Sequence, residues 1–350
     1  ILLGLVGSEM CIRDRSWSQV DRSTAPEAGP APELKIGTPT KLKLNNGLQV
    51  IVVENHRMPA VSWNMTLDYP PFLETDKAGL TSIASDMMSA GTEARNKAQI
   101  AEDVEFLGAS FRANAKGFFA SSLSKNTGDL LRIVSDAILN PIFPEDELEK
   151  VKKQVRSGLA NTPTSPGEIA GNLVSATNFG SLHPYGEVMT EETLENVSRQ
   201  DLVEYHKTYF RPNAAYLIVV GDITPDEAYA KANAHFGNWY RGDIPYTRIM
   251  PAKFPTGNQV RFAAVEGAVQ STINITQPVP FPPGHPDAAA IQLMNSILGG
   301  GAFSGRLMQN LREDKAFTYG ARCSLSADPV TAQFIAYADV RSEVTDSALV

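Results

Sequence analysis

Cysteine is nearly missing from this chain: Cys11 and Cys323 are the only two in 350 residues. That is too few for a disulfide framework or a cysteine-rich metal centre. Histidine is sparse as well. His56, His183, His206, His235 and His285 make up the set, and no two stand three to five positions apart. A helix presenting two imidazole ligands one turn apart is therefore absent. No apolar run approaches the roughly 18–20 residues of a membrane-spanning helix. Positive charge is in the minority, with 31 Lys and Arg against 39 Asp and Glu and a formal net charge of −8. Such a balance argues against nucleic acid as a partner. What is present is ordinary globular material, 43% hydrophobic and 20% charged, long enough for two domains with separate cores.

The two ends stand apart from the rest. Residues 1–15, ILLGLVGSEMCIRDR, begin with the apolar run Ile1–Val6, too short for a signal-peptide core and not preceded by basic residues. Much of the stretch resembles one reading frame of a transposase sequencing adapter, so residues 1–15 are set aside as an artefact, Cys11 with them. Residues 16–40 are polar and hold Pro26, Pro30, Pro32 and Pro39, which reads as a leader or linker. At the other end, Val344–Val350 begins a helical pattern, and the second domain is expected to be incomplete.

Between these ends the patterning alternates between strand and helix periods. Asn45-Asn46-Gly47 separates two apolar-alternating runs, Lys41–Leu44 and Leu48–Glu54, a hairpin signal. A strand over Ala60–Leu67 follows, then a helix from Lys77 to about Ala90, capped by Asp76 and stopped by Gly91. Helix Lys97–Leu107, strands Ser110–Ala115 and Phe119–Lys125, and helices Asp129–Leu139, Glu145–Ala160, Pro166–Asn178 and Arg199–Tyr209 come next. Strand Ala214–Val220 and helix Pro225–Phe236 close the unit. Residues 242–257 contain Pro245, Pro251 and Pro255 and little periodicity, which marks a domain boundary. Beyond it the scheme restarts with strands Val260–Val265 and Ser271–Thr276, helices Pro286–Leu298 and Ser304–Arg312, and strands Thr318–Leu325 and Ala332–Val340. Hairpin-rich sheets with helices on one side make an α+β fold of two tandem αβ rolls, 41–241 and 258–350, the second truncated.

The helix around Gly79–Thr92 carries the most information. At a helical period Leu80, Ile83, Ala84, Met87 and Met88 share one face, while Ser82, Ser85, Asp86 and Ser89 share the other. Taken alone, the first face is core and the second is a solvated surface. However, the frame G-L-x-x-x-x-x-x-M-x-x-x-G-T, with FLGASF after the next helix, resembles the inverted zinc motif of the insulinase/pitrilysin metallopeptidases. The resemblance extends through Asn178–Gly186, Tyr209–Asn213 and Val220–Ile223 in order and spacing. In that family the helix bears H-x-x-E-H, whose positions fall on Ser82, Ser85 and Asp86. Serine hydroxyls are poor zinc ligands at neutral pH, and Ser85 cannot serve as a general base unaided. The family's third ligand, a glutamate on a later helix, aligns with Gly158, which has no side chain. This chain is therefore expected to bind no metal. His183 and His206 are read as structural histidines.

The family also places an arginine and a tyrosine seven residues apart after a glycine loop. Those positions match Arg312, Tyr319 and Gly299–Gly301 here, with Ser304 as a cap for the intervening helix. The resemblance implies that Arg312 and Tyr319 bind substrate and stabilise the tetrahedral intermediate, and that the glycines and Ser304 contact peptide. On the residues alone, the glycines are equally a flexible connection, Arg312 a partner for a neighbouring acid, and Tyr319 a strand-end packing residue. With one set of residues kept and the other lost, the resemblance implies the non-zinc subunit of a heterodimeric peptidase. Zinc would then sit in a partner of the same family, and export to the periplasm is expected. An inert scaffold of the same fold, or a fragment whose zinc half lies elsewhere, are the alternatives.

Overall fold

A computed structural model describes residue 29 and residues 38–350, apart from 253 and 302. The expected artefact at 1–15 and most of the leader at 16–40 lie outside the described residues. Residues 39–350 form one compact unit.

Its first part is built on β1 (Thr40–Lys43), β2 (Gln49–Glu54), β3 (Ala60–Leu67), α1 (Leu80–Met87), α2 (Lys97–Phe106), β4 (Ser110–Asn114), β5 (Gly117–Leu123) and α3 (Thr127–Leu139). It continues through α4 (Glu145–Leu159), α5 (Pro166–Asn178), α6 (Glu191–Glu195), α7 (Arg199–Tyr209), β6 (Ala215–Gly221) and α8 (Pro225–Phe236). Six strands join in the order β1-β2-β6-β3-β5-β4, all antiparallel except β2 against β6. Side chains alternate across the sheet. Along β3, Val61, Trp63, Met65 and Leu67 are buried. They share a core with Leu130, Leu131, Val134 and Ile138 of α3, Ile83, Ala84 and Met87 of α1, and Ala228, Ala232 and Phe236 of α8. The i, i+4, i+8 spacing of that last trio gives α8 its single apolar stripe. Gly117 closes the β4–β5 hairpin at φ +137°, where a Cβ would lie 2.0 Å from the Met65 carbonyl oxygen. Only glycine fits there.

Between α8 and β7 (Gln270–Val279) there is no helix or strand among the described residues, so the strand expected at Val260–Val265 does not form. Its apolar residues find no buried face: Val260 and Phe262 are each 86% exposed. After β7 come α9 (Ala288–Asn295), a π turn over Ser296–Gly300, α10 (Arg306–Met308) leading into a second π turn over Gln309–Asp314, β8 (Thr318–Leu325), β9 (Ala332–Arg341) and α11 (Thr345–Leu349). The strands form an antiparallel sheet in the order β7-β9-β8. Two polar links tie this sheet to the first part. Asn178 Nδ2 donates to Thr276 Oγ1 at 2.7 Å, and the Tyr185 hydroxyl meets both Asp328 oxygens at 3.0 and 3.1 Å.

Candidate functional site

Helix α1 starts later than its sequence pattern predicts, and Asp76 does not cap it. Gly79 occupies the cap position, and Glu74 takes over by accepting the Gly79 N–H at 2.6 Å and the Thr81 N–H at 3.0 Å. A carboxylate suits the donors left free at a helix start. Glu74 is itself held, because Glu187 accepts the backbone N–H groups of Glu74 and Thr75 at 2.9 and 2.6 Å.

One turn along, Ser85 has a structural duty. Its hydroxyl donates to the Thr81 carbonyl at 2.9 Å and accepts the Ala115 N–H at 3.1 Å. Ala115 sits in the β4–β5 turn, and its carbonyl accepts from Tyr205 at 2.9 Å and Tyr69 at 3.2 Å. Ser85 thus fastens α1 to the hairpin. Ser82 and Asp86 lie on the exposed side of the same helix, while Met87 and Met88 are fully buried. Gly158 is exposed on α4, beside α1, and a Cβ there would meet nothing within 4 Å. These four positions do not fit a zinc ion. They offer two hydroxyls, one of them already engaged, one carboxylate and no fourth side chain, where catalytic zinc takes three strong nitrogen, sulfur or oxygen ligands. Among the described residues no three His, Cys, Asp or Glu side chains gather as a metal site requires.

The same hairpin turn forms one wall of a cleft of about 340 Å³, lined by Tyr69, Phe72, Glu74, Lys116, Tyr185 and Met189 among others. Lys116 Nζ sits 3.3 Å from the centre of the Tyr69 ring and donates to the Tyr69 carbonyl at 3.0 Å. Burial pulls this ammonium down to about 8, opposed only in part by Asp68. Sequence reasoning missed the cleft. Its one advance signal was Asn114-Ala115-Lys116-Gly117, a two-residue hairpin turn with a lysine at its tip.

The second set of residues has a different character. Gly299 is buried at the end of a π turn and lies against β8, where a Cβ would sit 2.8 Å from the Cys323 nitrogen. Its close neighbour is this chain's own strand. Ser304 caps nothing: Gly305 precedes α10, with no side-chain cap. Arg312 lies in the second π turn, 3.5 Å from its neighbour Glu313 and 5.0 Å from the Phe303 ring centre. Tyr319 follows in β8 and is 89% exposed. Between Thr318 and Ala321 the β8–β9 register slips by one residue, and the Thr318 hydroxyl braces this bulge through Gly320, at 2.9 Å to its carbonyl and 3.0 Å to its N–H. Bulges redirect side chains and recur beside active sites. Ser85 bonds to Thr81 and Ala115, and Arg312 lies by Glu313 and Phe303; no polar contact joins the two sets among the described residues. Both questioned histidines have core roles. His183 Nδ1 accepts the Tyr185 N–H at 3.0 Å, and His206 Nε2 meets the Ile138 carbonyl at 2.8 Å.

Two family models cover most of the chain. Residues 50–187 match "Insulinase (Peptidase family M16)" and residues 196–349 match "Peptidase M16 inactive domain". The chain belongs to the insulinase family of peptidases. Within it, the M16 chain is 24% identical over 288 residues to the beta subunit of the Rattus norvegicus mitochondrial-processing peptidase, covering 80% of this chain and 58% of that protein. It is 25% identical over 281 residues to the zinc protease YmxG of Bacillus subtilis, covering 78% and 67%. It thus spans about three-fifths to two-thirds of the length of such relatives. A solved M16 inactive domain from Pseudomonas fluorescens superposes with a TM-score of 0.79 at 23% identity, over 89% of this chain and 76% of that one. The periplasmic protease PqqL from Escherichia coli gives 0.74 at 15% identity, over 90% and 35%.

Proposed function

We propose that this chain is the non-zinc subunit of an insulinase-family peptidase, binding the peptide and lending Arg312, Tyr319 and the Gly299–Gly301 turn to a zinc-bearing partner of the same family. The observation that carries this reading is Tyr319, an aromatic residue 89% exposed in a braced bulge. Its side chain is open to a ligand and is not enclosed by the fold. A phenol and a guanidinium are suitable donors to the oxyanion that develops when a peptide carbonyl is attacked. Hydrolysis itself needs the metal chemistry of the partner, because α1 offers hydroxyls where ligands and a general base are required. The name of the PqqL neighbour supports a periplasmic location, and no helix among the described residues is long and apolar enough to cross a membrane.

The test combines this chain with a zinc-bearing M16 protein from the same source and measures cleavage of a fluorogenic peptide. The Arg312→Ala, Tyr319→Phe double variant lowers kcat/KM by about a hundredfold or more, the scale of losing one oxyanion donor, with the partner's zinc content unchanged. Unchanged hydrolysis removes the role and leaves an inert scaffold. Stoichiometric zinc in the purified chain alone overturns the assignment of Ser82, Ser85, Asp86 and Gly158.

A further inference from the structure

We propose that the cleft beside α1 receives the C-terminal carboxylate of a peptide ending in an apolar residue, with Lys116 as its charged partner. The proposal rests on the peptide-binding reading above for the class of ligand, and on the cleft alone for the rest. The Lys116 ammonium is half-buried, and among the described residues no carboxylate lies within ion-pair distance, Asp68 attracting it only from farther off. Its neighbours are the ring and carbonyl of Tyr69, which leave a third N–H to donate. A buried cation without a counter-ion is costly, and a carboxylate arriving from a ligand offsets that cost.

The amine is also held in place. Its hairpin turn is pinned on three sides: Ser85 accepts the Ala115 N–H, the Tyr69 and Tyr205 hydroxyls donate to the Ala115 carbonyl, and Asn114 Oδ1 accepts the Lys116 N–H at 2.7 Å. A preorganised donor loses little freedom on binding. Around it Phe72, stacked on Tyr209 at 4.5 Å, and Met189 supply apolar wall. A volume of about 340 Å³ is at the small end for ligand sites. It suits a chain end better than a continuous strand.

Glu74 and Glu187 also line the cleft, but their oxygens accept four backbone N–H groups. Both add carboxylates to the lining. A second anionic group on the ligand is therefore disfavoured, which separates an apolar peptide end from an acidic one.

Isothermal titration of the 350-residue chain with N-acetyl-Ala-Ala-Phe and with its C-terminal amide tests this without any partner. The free acid binds about tenfold or more tightly than the amide at pH 7, the scale of a charge-assisted hydrogen bond. Because the free lysine titrates near 8, the preference for the acid over the amide is largely lost between pH 7 and 9.5. Lys116→Met reduces the acid to the level of the amide. Lys116→Arg keeps the preference and removes the loss at pH 9.5, since guanidinium stays charged. N-acetyl-Ala-Glu-Phe binds more weakly than N-acetyl-Ala-Ala-Phe. Equal binding of acid and amide, no binding of either, or an unaffected Lys116→Met variant overturns the proposal. If it fails while the Arg312, Tyr319 double variant still slows the paired enzyme, the proposed function stands without this subsite.

Discussion

The two sheets of this chain use their residues in opposite ways. Around the six-stranded sheet, strands β2, β3, β5 and β6 all feed one continuous core that also takes in α1, α3 and α8. Around the three-stranded sheet the buried cluster is small, Ala321, Ala338 and Val340, with Met308, Cys323 and Ala332 buried nearby, while Val269 is 82% exposed, Leu293 63% and Ile275 56%. The two sets of residues singled out for function follow this division. On the well-packed side, Ser85 is a fastening between a helix and a hairpin. On the sparsely packed side, Arg312 and Tyr319 remain at the surface with few structural duties.

Substitutions in each part put this contrast to the test. The largest effect is expected in the first core. Met87→Ala removes a fully buried side chain and costs about 2–5 kcal/mol, read as a lowered urea midpoint. Val340→Ala, in the core of three, costs less, and a reversal of that order would erase the comparison. Ser85→Ala leaves the Ala115 N–H without its acceptor and costs about 1–3 kcal/mol, with faster hydrogen exchange at the β4–β5 turn. A neutral Ser85→Ala would return the residue to the solvated surface.

Acid should act through buried histidines. His183, His206 and His235 all have pKa values lowered chiefly by burial. For these three groups the unfolded chain binds more protons below about pH 6.5, so their contribution is level above that pH and falls beneath it, opposed in part by exposed His56, whose pKa Asp222 and Glu54 raise. Urea midpoints measured from pH 8 down to 5 check the sign. A midpoint that rises on acidification would contradict burial as the dominant cause. Smallest of all is Tyr319→Phe, which changes stability by no more than about 0.5 kcal/mol while impairing the paired enzyme. A large loss of stability there would make Tyr319 a packing residue after all.

Much of the fold could be read in advance. The strand over Ala60–Leu67, the helices Pro166–Asn178, Arg199–Tyr209 and Pro225–Phe236, and the strand Thr318–Leu325 have the boundaries their patterns predict. Each has a strong local period or a Pro or polar start signal. Val260–Val265 misled because apolar alternation shows only that a strand could be half-buried, and no partner strand pairs with it. Asp76 and Ser304 misled for a related reason. Capping preference is a local property, but Glu74 reaches α1 across a short 3-10 turn, and a π turn shifts where the next helix begins. In the candidate site the hydroxyls and the glycine on the exposed faces of α1 and α4 were legible from residue identity alone. The double hydrogen bond of Ser85, the bulge at Tyr319 and the unaccompanied Lys116 were not, since each depends on contacts with residues distant in sequence or on an adjacent strand's register.

The Ser85 fastening bears on how reversible the loss of chemistry has become. Gly158 faces open space and would accept a glutamate side chain, and Ser82 and Asp86 lie on the outer side of α1, so three of the four positions could regain ligands at little steric expense. Ser85 works as a ratchet tooth. Putting an acid back there detaches the hairpin that α1 now secures, so any route home to an autonomous enzyme first has to evolve another anchor for the Ala115 turn.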